Sequence, residues 1–154
     1  LVGKNGCGKF SVLKLLLGKA VDHEGYLYKA NGLRISYVPQ NTDGLKGDLR
    51  EYAYNCGIDE SLFKTILRKL DFSRIQFEKK IEEFSEGQKK KVLIAGSLCE
   101  QAHLYLWDEP LNYIDVFSRI QIEELLKNSG ITLLFVEHDL AFCNQIKTKE
   151  ILMQ

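Results

Sequence analysis

The order of apolar and polar residues predicts short buried strands that alternate with helices. Strands are expected at 33–38, 103–107 and 131–136, with shorter ones at 26–28 and 150–153. The segment 103–107 is a continuous apolar run, which is typical of a strand inside a parallel sheet. Helices are expected at 9–17, 49–54, 62–70, 85–99, 115–127 and 139–146, most of them with apolar residues three or four positions apart. This alternation indicates an α/β fold with helices on both faces of a parallel sheet.

The pattern changes between residues 43 and 100, where helices follow one another without an intervening strand. We therefore expect a small helical subdomain at 43–100, attached to an α/β core formed by 1–42 and 101–154. The chain does not begin with methionine, and Leu1–Val2 has the character of the end of a buried strand. We therefore expect further chain upstream.

Composition narrows the class of protein. Of the 154 residues, 45% are hydrophobic and 27% charged, which excludes a mostly disordered chain. Lys and Arg number 21 and Asp and Glu number 21, so a globally basic nucleic-acid binder is not indicated, although a local basic face remains open. No apolar run approaches the roughly 18 residues of a membrane helix. Four cysteines without a C-x-x-C pair favour reduced thiols in a cytoplasmic protein over a zinc cluster.

A glycine-rich segment at 3–9 reads G-K-N-G-C-G-K and fits the G-x-x-x-x-G-K pattern of a phosphate-binding P-loop. Glycines allow a tight curl in which several N–H groups face one concavity, and the following helix contributes its positive end. The lysine reaches the outer phosphates as a point charge. The candidate phosphate-binding residues are Gly3, Lys4, Asn5, Gly6, Cys7, Gly8, Lys9, Phe10 and Ser11.

One position departs from this pattern. The residue after the lysine is normally Ser or Thr, whose hydroxyl ligates Mg²⁺, and here it is Phe10. Its backbone N–H still serves phosphate, so phosphate binding should survive better than metal positioning. Either a water replaces the hydroxyl, or Phe10 merely fills a nearby apolar gap, or the site binds nucleotide without hydrolysing it.

Polar residues follow each of the main predicted strands. Asp108 and Glu109 end the apolar run 103–107, an arrangement typical of a Walker B motif, in which Asp108 holds Mg²⁺ and Glu109 acts as general base. Gln40 follows the strand 33–38 and offers a carbonyl oxygen to Mg²⁺ or to the attacking water. His138 follows the strand 131–136 and could orient that water. In open parallel sheets, ligands bind at the carboxyl ends of the strands, where these residues are expected to meet.

A second candidate anion site precedes the helix 85–99. Phe84-Ser85-Glu86-Gly87-Gln88 places a capping serine and a glycine at a helix N-terminus, whose free N–H groups suit a phosphate. A plain capping motif explains the same residues. With the P-loop upstream, a second such terminus indicates that phosphate is approached from two sides.

Together these motifs resemble the ATP-binding cassette (ABC) family over nearly the whole chain. On this resemblance, 85–88 matches the signature motif, Gln40 the Q-loop, 111–115 the D-loop and His138 the switch histidine. It implies a P-loop NTPase fold, ATP hydrolysis with Mg²⁺, and head-to-tail pairing with a second cassette. In such a pair, Ser85, Gly87 and Gln88 would serve the partner's nucleotide.

A narrower resemblance concerns the subfamily. Residues 108–115 read D-E-P-L-N-Y-I-D, which is similar to the ABC-F style, and 86–126 is similar to the second cassette of antibiotic-resistance ABC-F proteins. That implies a cytoplasmic protein acting on the ribosome. The alternative partner is a membrane-spanning transporter subunit.

Two lysine runs, 79–80 and 89–91, flank the signature. They fit either a basic patch that faces rRNA phosphates or solvated helix faces, and we favour the solvated faces.

Overall fold

The computed structural model describes residues 1–4 and 6–153. Among these residues lie three strands and six α-helices: α1 Lys9–Leu16, β1 Ile35–Val38, α2 Leu49–Cys56, α3 Glu60–Lys69, α4 Glu86–Cys99, β2 Leu104–Asp108, α5 Val116–Ser129, β3 Leu133–Val136 and α6 Leu140–Ile146. Two short 3₁₀ helices, Arg74–Glu78 and Ile81–Glu83, lead into α4.

The strands form one parallel sheet in the order β1-β2-β3. Ile35 pairs with Leu104, and Tyr105 pairs with Leu133, so the carboxyl ends of all three strands lie at the same edge. The predicted α/β class with a parallel sheet is confirmed, and this edge collects whatever polar residues follow the strands.

The predicted strand at 26–28 is wrong, and the strand residues predicted at 1–2 and 150–153 form only a single bridge. Residues 26–28 form no strand, and Tyr26 and Tyr28 are exposed, because no other described segment pairs with them. At the termini, Val2 and Leu152 form one isolated parallel bridge, and both side chains are exposed rather than buried. A strand needs a partner ladder, which an apolar run by itself does not reveal.

Helix α4 is fixed to the sheet by buried polar contacts. The hydroxyls of Ser36 on β1 and Ser97 on α4 lie 2.7 Å apart, and the indole N–H of Trp107 on β2 donates to Ser97 at 3.0 Å. Since all three side chains are buried, their mutual hydrogen bonds avoid the penalty of unpaired polar groups.

One cluster of buried apolar side chains extends from the sheet into α2, α3 and α4. The sheet and the helical residues therefore pack as neighbours around a common core, and the division into a core and a helical subdomain at 43–100 stays a prediction. Within the described residues, no helix is long and apolar enough to cross a membrane.

Side-chain caps explain where five of the described helices begin. The carboxylates of Asp48, Asp59, Asp115 and Asp139 and the hydroxyl of Ser85 each accept a backbone N–H from the first turn of the helix that follows. At α3, for example, Asp59 Oδ1 accepts the N–H of Leu62 at 2.6 Å.

Candidate nucleotide-binding site

A cleft of about 460 Å³ opens at the carboxyl edge of the sheet. Its walls are Gly6, Gly8, Lys9, Phe10, Ser11, Gln40, Asp108, Glu109, Val136 and His138. Nine of these ten were candidate site residues in the sequence, and the fold brings them together from four separate segments. Asn5 lies outside the described residues. Gly3, Lys4 and Cys7 form the back of the loop rather than the cleft wall.

The glycine-rich loop depends on glycine at defined points. Gly6 and Gly8 have φ values of 83° and 93°, a left-handed conformation that suits glycine. At Gly3, an added Cβ would lie 2.5 Å from Cys7 Sγ and 2.7 Å from Met153 O, so a side chain has no room. Helix α1 starts directly after Gly8 without a side-chain cap, which leaves its first N–H groups for another acceptor.

Lys9 folds back onto this loop. Its Nζ donates to Gly3 O at 2.7 Å and Lys4 O at 3.0 Å, and the residue is buried. The ammonium group thus lies against the loop, where a phosphate would find a compact positive charge.

Phe10 does not fill an apolar gap. The residue is 47% exposed, lines the cleft, and lies beneath the Lys14 ammonium at 4.3 Å from the ring centroid. The gap-filling interpretation is therefore wrong, because the ring contacts the cleft and a cation instead of the core. Ser11, the next residue, also lines the cleft.

Asp108 is buried, and its Oδ2 is fully enclosed. Within residues 1–4 and 6–153, no group forms a hydrogen bond with this oxygen. Burial, and then the charge of Glu109, raise the pKa of Asp108. A buried carboxylate oxygen without a partner is costly unless a cation satisfies it. The site therefore fits Mg²⁺, with Asp108 and Gln40 supplying oxygens, while Phe10 supplies none.

Glu109 lies at the centre of a polar network. Its Oε2 accepts from Gln40 Nε2 and Asn112 Nδ2, each at 2.8 Å, and its Oε1 lies 3.3 Å from His138 Nε2. Burial acts to raise the pKa of Glu109, but the hydrogen bonds from Asn112 and Gln40 and the nearby His138 outweigh it and lower the pKa. Glu109 also has a φ of 45°, a strained conformation of the kind that clusters at functional sites. The carboxylate is thereby oriented and kept ionised.

Sequence reasoning missed Glu137 and Asn112. Glu137 accepts the backbone N–H of Leu111 at 3.1 Å through Oε2, and those of His138 and Asp139 at 2.7 and 3.3 Å through Oε1. One carboxylate thus ties the loop after Glu109 to the loop that carries His138. Its position directly before His138 was the available signal.

The signature residues lie apart from the cleft and bind within the chain. Ser85 Oγ accepts the N–H of Gln88 at 3.3 Å, and Gln88 Oε1 accepts the N–H of Ser85 at 3.0 Å, which is a capping box. A Cβ on Gly87 would lie 2.3 Å from Tyr113 O, so glycine lets the start of α4 approach the loop 110–113.

The solvated-face interpretation is wrong for Lys90 and Lys91. Both side chains are buried, so neither can face the phosphates of an rRNA. The Lys89 side chain is 20% exposed, and its Nζ lies 3.1 Å from Glu86 Oε1. Lys91 Nζ lies 2.7 Å from Asp115 Oδ2. Lys90 Nζ donates to Pro39 O at 2.7 Å and Gln40 O at 2.8 Å. Burial lowers the pKa of Lys90 to about 8.

Comparison with known proteins assigns the class. The family model described as ABC transporter matches residues 1–112. The chain therefore belongs to the ABC family, whose P-loop NTPase fold agrees with the sheet and cleft described above. The resemblance seen in the sequence is thus confirmed at the level of the family.

The similar proteins include some connected with ribosomes and others connected with membrane transport. The chain is 28% identical to the ribosome protection protein VmlR of Bacillus subtilis, covering 99% of this chain and 28% of that protein. It is 30% identical to the zinc import ATP-binding protein ZnuC of Yersinia pestis, covering 99% of this chain and 62% of ZnuC. It also superposes with a TM-score of 0.82 and 30% identity on a chain from the complex of archaeal ribosomal stalk protein aP1 with the archaeal ribosome recycling factor aABCE1, covering 98% of this chain and 30% of the other. The chain spans about a quarter of the length of several curated relatives.

Proposed function

We propose that this chain is an ATP-hydrolysing cassette of the ABC-F type, acting in the cytoplasm on the ribosome in translation or antibiotic resistance. The observation that carries the ATPase part is the Glu109 network. A carboxylate with a lowered pKa, held by Gln40, Asn112 and His138, borders the cleft that the glycine-rich loop also lines.

Each residue has a role that its contacts support. The amides around Gly6 and Gly8, with Lys9, hold the phosphates of ATP. Mg²⁺, bound through Asp108 and Gln40, would neutralise charge on the outer phosphates. Glu109 accepts a proton from the attacking water, and His138, 3.3 Å from its carboxylate, helps to orient that water.

Replacing Glu109 with glutamine tests this assignment. Glu109→Gln keeps the size and one acceptor oxygen but removes the base, so kcat for ATP should fall by about 10²–10⁴-fold while ATP affinity is retained. The control is Glu124→Gln, the same change on α5 away from the cleft. Unchanged turnover in Glu109→Gln, in every cassette of the protein at its full natural length, would show that Glu109 is not the base.

A second cassette is the proposed partner. Ser85, Gly87 and Gln88 lie outside their own cleft, which supports a role toward a nucleotide held by another P-loop, in a head-to-tail pair. The ribosome is the proposed target because two similar proteins, the ribosome protection protein VmlR and the ribosome recycling factor aABCE1, are both connected with ribosomes.

The alternative is an ATPase subunit of a membrane transporter, favoured by the family description and by ZnuC. Fractionation distinguishes the two. The ABC-F proposal expects the full-length Glu109→Gln protein to cosediment with ribosomes in the presence of ATP. Copurification with a membrane-spanning partner, and absence from the ribosome fraction, would favour the transporter.

A further inference from the structure

Lys90 is a fully buried lysine on the cleft side of α4. Its Nζ donates to two consecutive backbone carbonyls, Pro39 O at 2.7 Å and Gln40 O at 2.8 Å. These carbonyls belong to the segment that follows β1, so one side chain of α4 joins the helix to that segment.

Packing alone does not account for a lysine at this position. Burying an ammonium group costs several kcal/mol, and an apolar side chain of similar length would fill the same space without that cost. The carboxylates that act on Lys90 are Asp108, Glu109, Glu137 and Glu86, none of them within salt-bridge distance. The direct partners of the Lys90 ammonium group are the two carbonyls. The lysine therefore fixes the position of residues 39 and 40, which carry those carbonyls.

The segment after β1 leads into the cleft, where Gln40 forms part of the wall. Gln40, whose carbonyl Lys90 holds, donates through its own Nε2 to Glu109 Oε2 at 2.8 Å. A second contact lies two residues on, where the Thr42 hydroxyl donates to Glu86 in the first turn of α4. Helix α4 therefore contacts residues 39–42 at two points, through Lys90 and through Glu86. Of these two contacts, only the one from Lys90 is made to Gln40, the residue that binds Glu109.

We propose that Lys90 is a positioning residue for Gln40: its ammonium group holds the Pro39 and Gln40 carbonyls so that the Gln40 side chain stays on Glu109. This links the helix that begins with Ser85-Glu86-Gly87-Gln88 to the hydrolytic carboxylate of the same chain. The inference rests on the proposed ATPase function.

A double-mutant cycle in the protein at its full natural length tests this pathway. Lys90→Met removes the donor at constant side-chain length, and Gln40→Ala removes the group that Lys90 positions. We expect Lys90→Met to lower kcat for ATP by roughly 10- to 100-fold with little change in KM, as for a misplaced catalytic contact. The double variant should be no slower than Gln40→Ala alone, because both changes disable one contact. Lys127→Met, the same change at an exposed position on α5, should leave turnover unchanged.

Two further variants keep the test decisive. Lys90→Gln, which keeps an N–H donor for one carbonyl, enters the same cycle if the methionine variant does not fold. Lys90→Arg keeps the donors and should restore part of kcat. Two results would overturn the inference. One is a kcat loss in the double variant equal to the product of the losses in Lys90→Met and Gln40→Ala; the other is an unchanged kcat in Lys90→Met.

Hydrogen exchange separates this inference from the proposed function. Without nucleotide, Lys90→Met should raise amide exchange at residues 40–42 relative to wild type, and Lys127→Met should not. Absence of ATP turnover in wild type would contradict the ATPase proposal, and the exchange result would still decide whether Lys90 fixes this segment. Equal exchange in wild type and Lys90→Met would overturn the inference.

Discussion

Two adjacent carboxylates in the cleft have opposite electrostatic environments. Burial raises the pKa of Asp108, which has an oxygen without a partner, whereas hydrogen bonds outweigh burial at Glu109 and lower its pKa. The environment of Asp108 thus favours a bound cation, whereas that of Glu109 keeps its carboxylate ionised as the pH falls. Separating two acids by environment is how one site assigns them different roles.

Phe10 is the residue where the site departs from the P-loop pattern, and its exposure makes the effect testable. Phe10→Ser introduces a hydroxyl at the cleft and removes the contact with Lys14, which costs about 0.5–1 kcal/mol of stability at such an exposed site. We expect Mg²⁺-dependent ATP turnover to rise several-fold and the melting temperature to change little. The steady-state rate across a Mg²⁺ titration measures this, with Phe10→Leu as the control that changes the ring without adding oxygen. Equal rates for Phe10→Ser and wild type would show that no hydroxyl is missing here.

At this scale the sequence predicts motif residues well and supporting residues poorly. Gln40, Asp108, Glu109 and His138 were found because each follows a predicted strand, and the parallel sheet brings strand ends together. The burial of Lys90 could not be predicted, since a run of lysines normally covers a solvated helix face and its acceptors are backbone atoms 50 residues away.

Helix α4 is the element that joins the site to the helical residues. The start of α4 approaches the loop 110–113 at Gly87. Near its C-terminal end, Gly96 lies close to Tyr52, and the Ser97 hydroxyl contacts Ser36 on β1. Because α4 makes contacts at several points, a small shift of the helix would disturb more than one of them. Gly87 and Gly96 mark two positions where a neighbouring residue approaches the helix too closely for an added Cβ.

Gly87→Ala and Gly96→Ala form a matched pair on this helix. A Cβ at Gly87 would clash with the backbone oxygen of Tyr113, whereas one at Gly96 would lie 2.7 Å from the hydroxyl oxygen of Tyr52, a side chain rather than backbone. We expect Gly87→Ala to lower the free energy of unfolding by about 1–3 kcal/mol, and Gly96→Ala to cost less because alanine also favours the helix interior. Urea unfolding of both variants checks this. A larger loss for Gly96→Ala would contradict the assigned packing.

The start of α5 provides a pH-dependent contact. Burial acts to raise the pKa of Asp115, but Lys91 and Ser118 outweigh it and hold the pKa well below its ordinary value. A folded-state pKa below the unfolded one gives stability that is present above the ordinary pKa and lost as pH falls through the folded one.

Asp115→Asn should therefore reduce the free energy of unfolding by about 1 kcal/mol at pH 7, a modest value because half of the Asp115 side chain is exposed. The difference from wild type should stay constant down to about pH 4 and narrow below it. Denaturant unfolding at a series of pH values measures this. A difference that grows below pH 4 would show that Asp115 does not make this contribution.

For the whole molecule, apolar runs predicted the class of fold because a strand buried on both faces of a parallel sheet leaves a continuous apolar signature. The same rule failed at residues 26–28, where exposed tyrosines form no ladder. Most helix positions followed from apolar spacing and capping residues, which act locally. What a helix N-terminus such as Ser85 binds depends on a partner, and the chain covers only part of its relatives.

The proposed activity requires the cleft to bind the phosphates of a nucleotide through the glycine-rich loop and Lys9. Calorimetric titration with a non-hydrolysable ATP analogue and Mg²⁺, comparing wild type with Lys9→Met, tests this most directly. We expect saturable binding to wild type and at least about tenfold weaker binding to Lys9→Met, equivalent to about 1.4 kcal/mol, with a folded variant by circular dichroism. Equal affinity in both proteins, or no binding to wild type in its full natural length, would contradict the account.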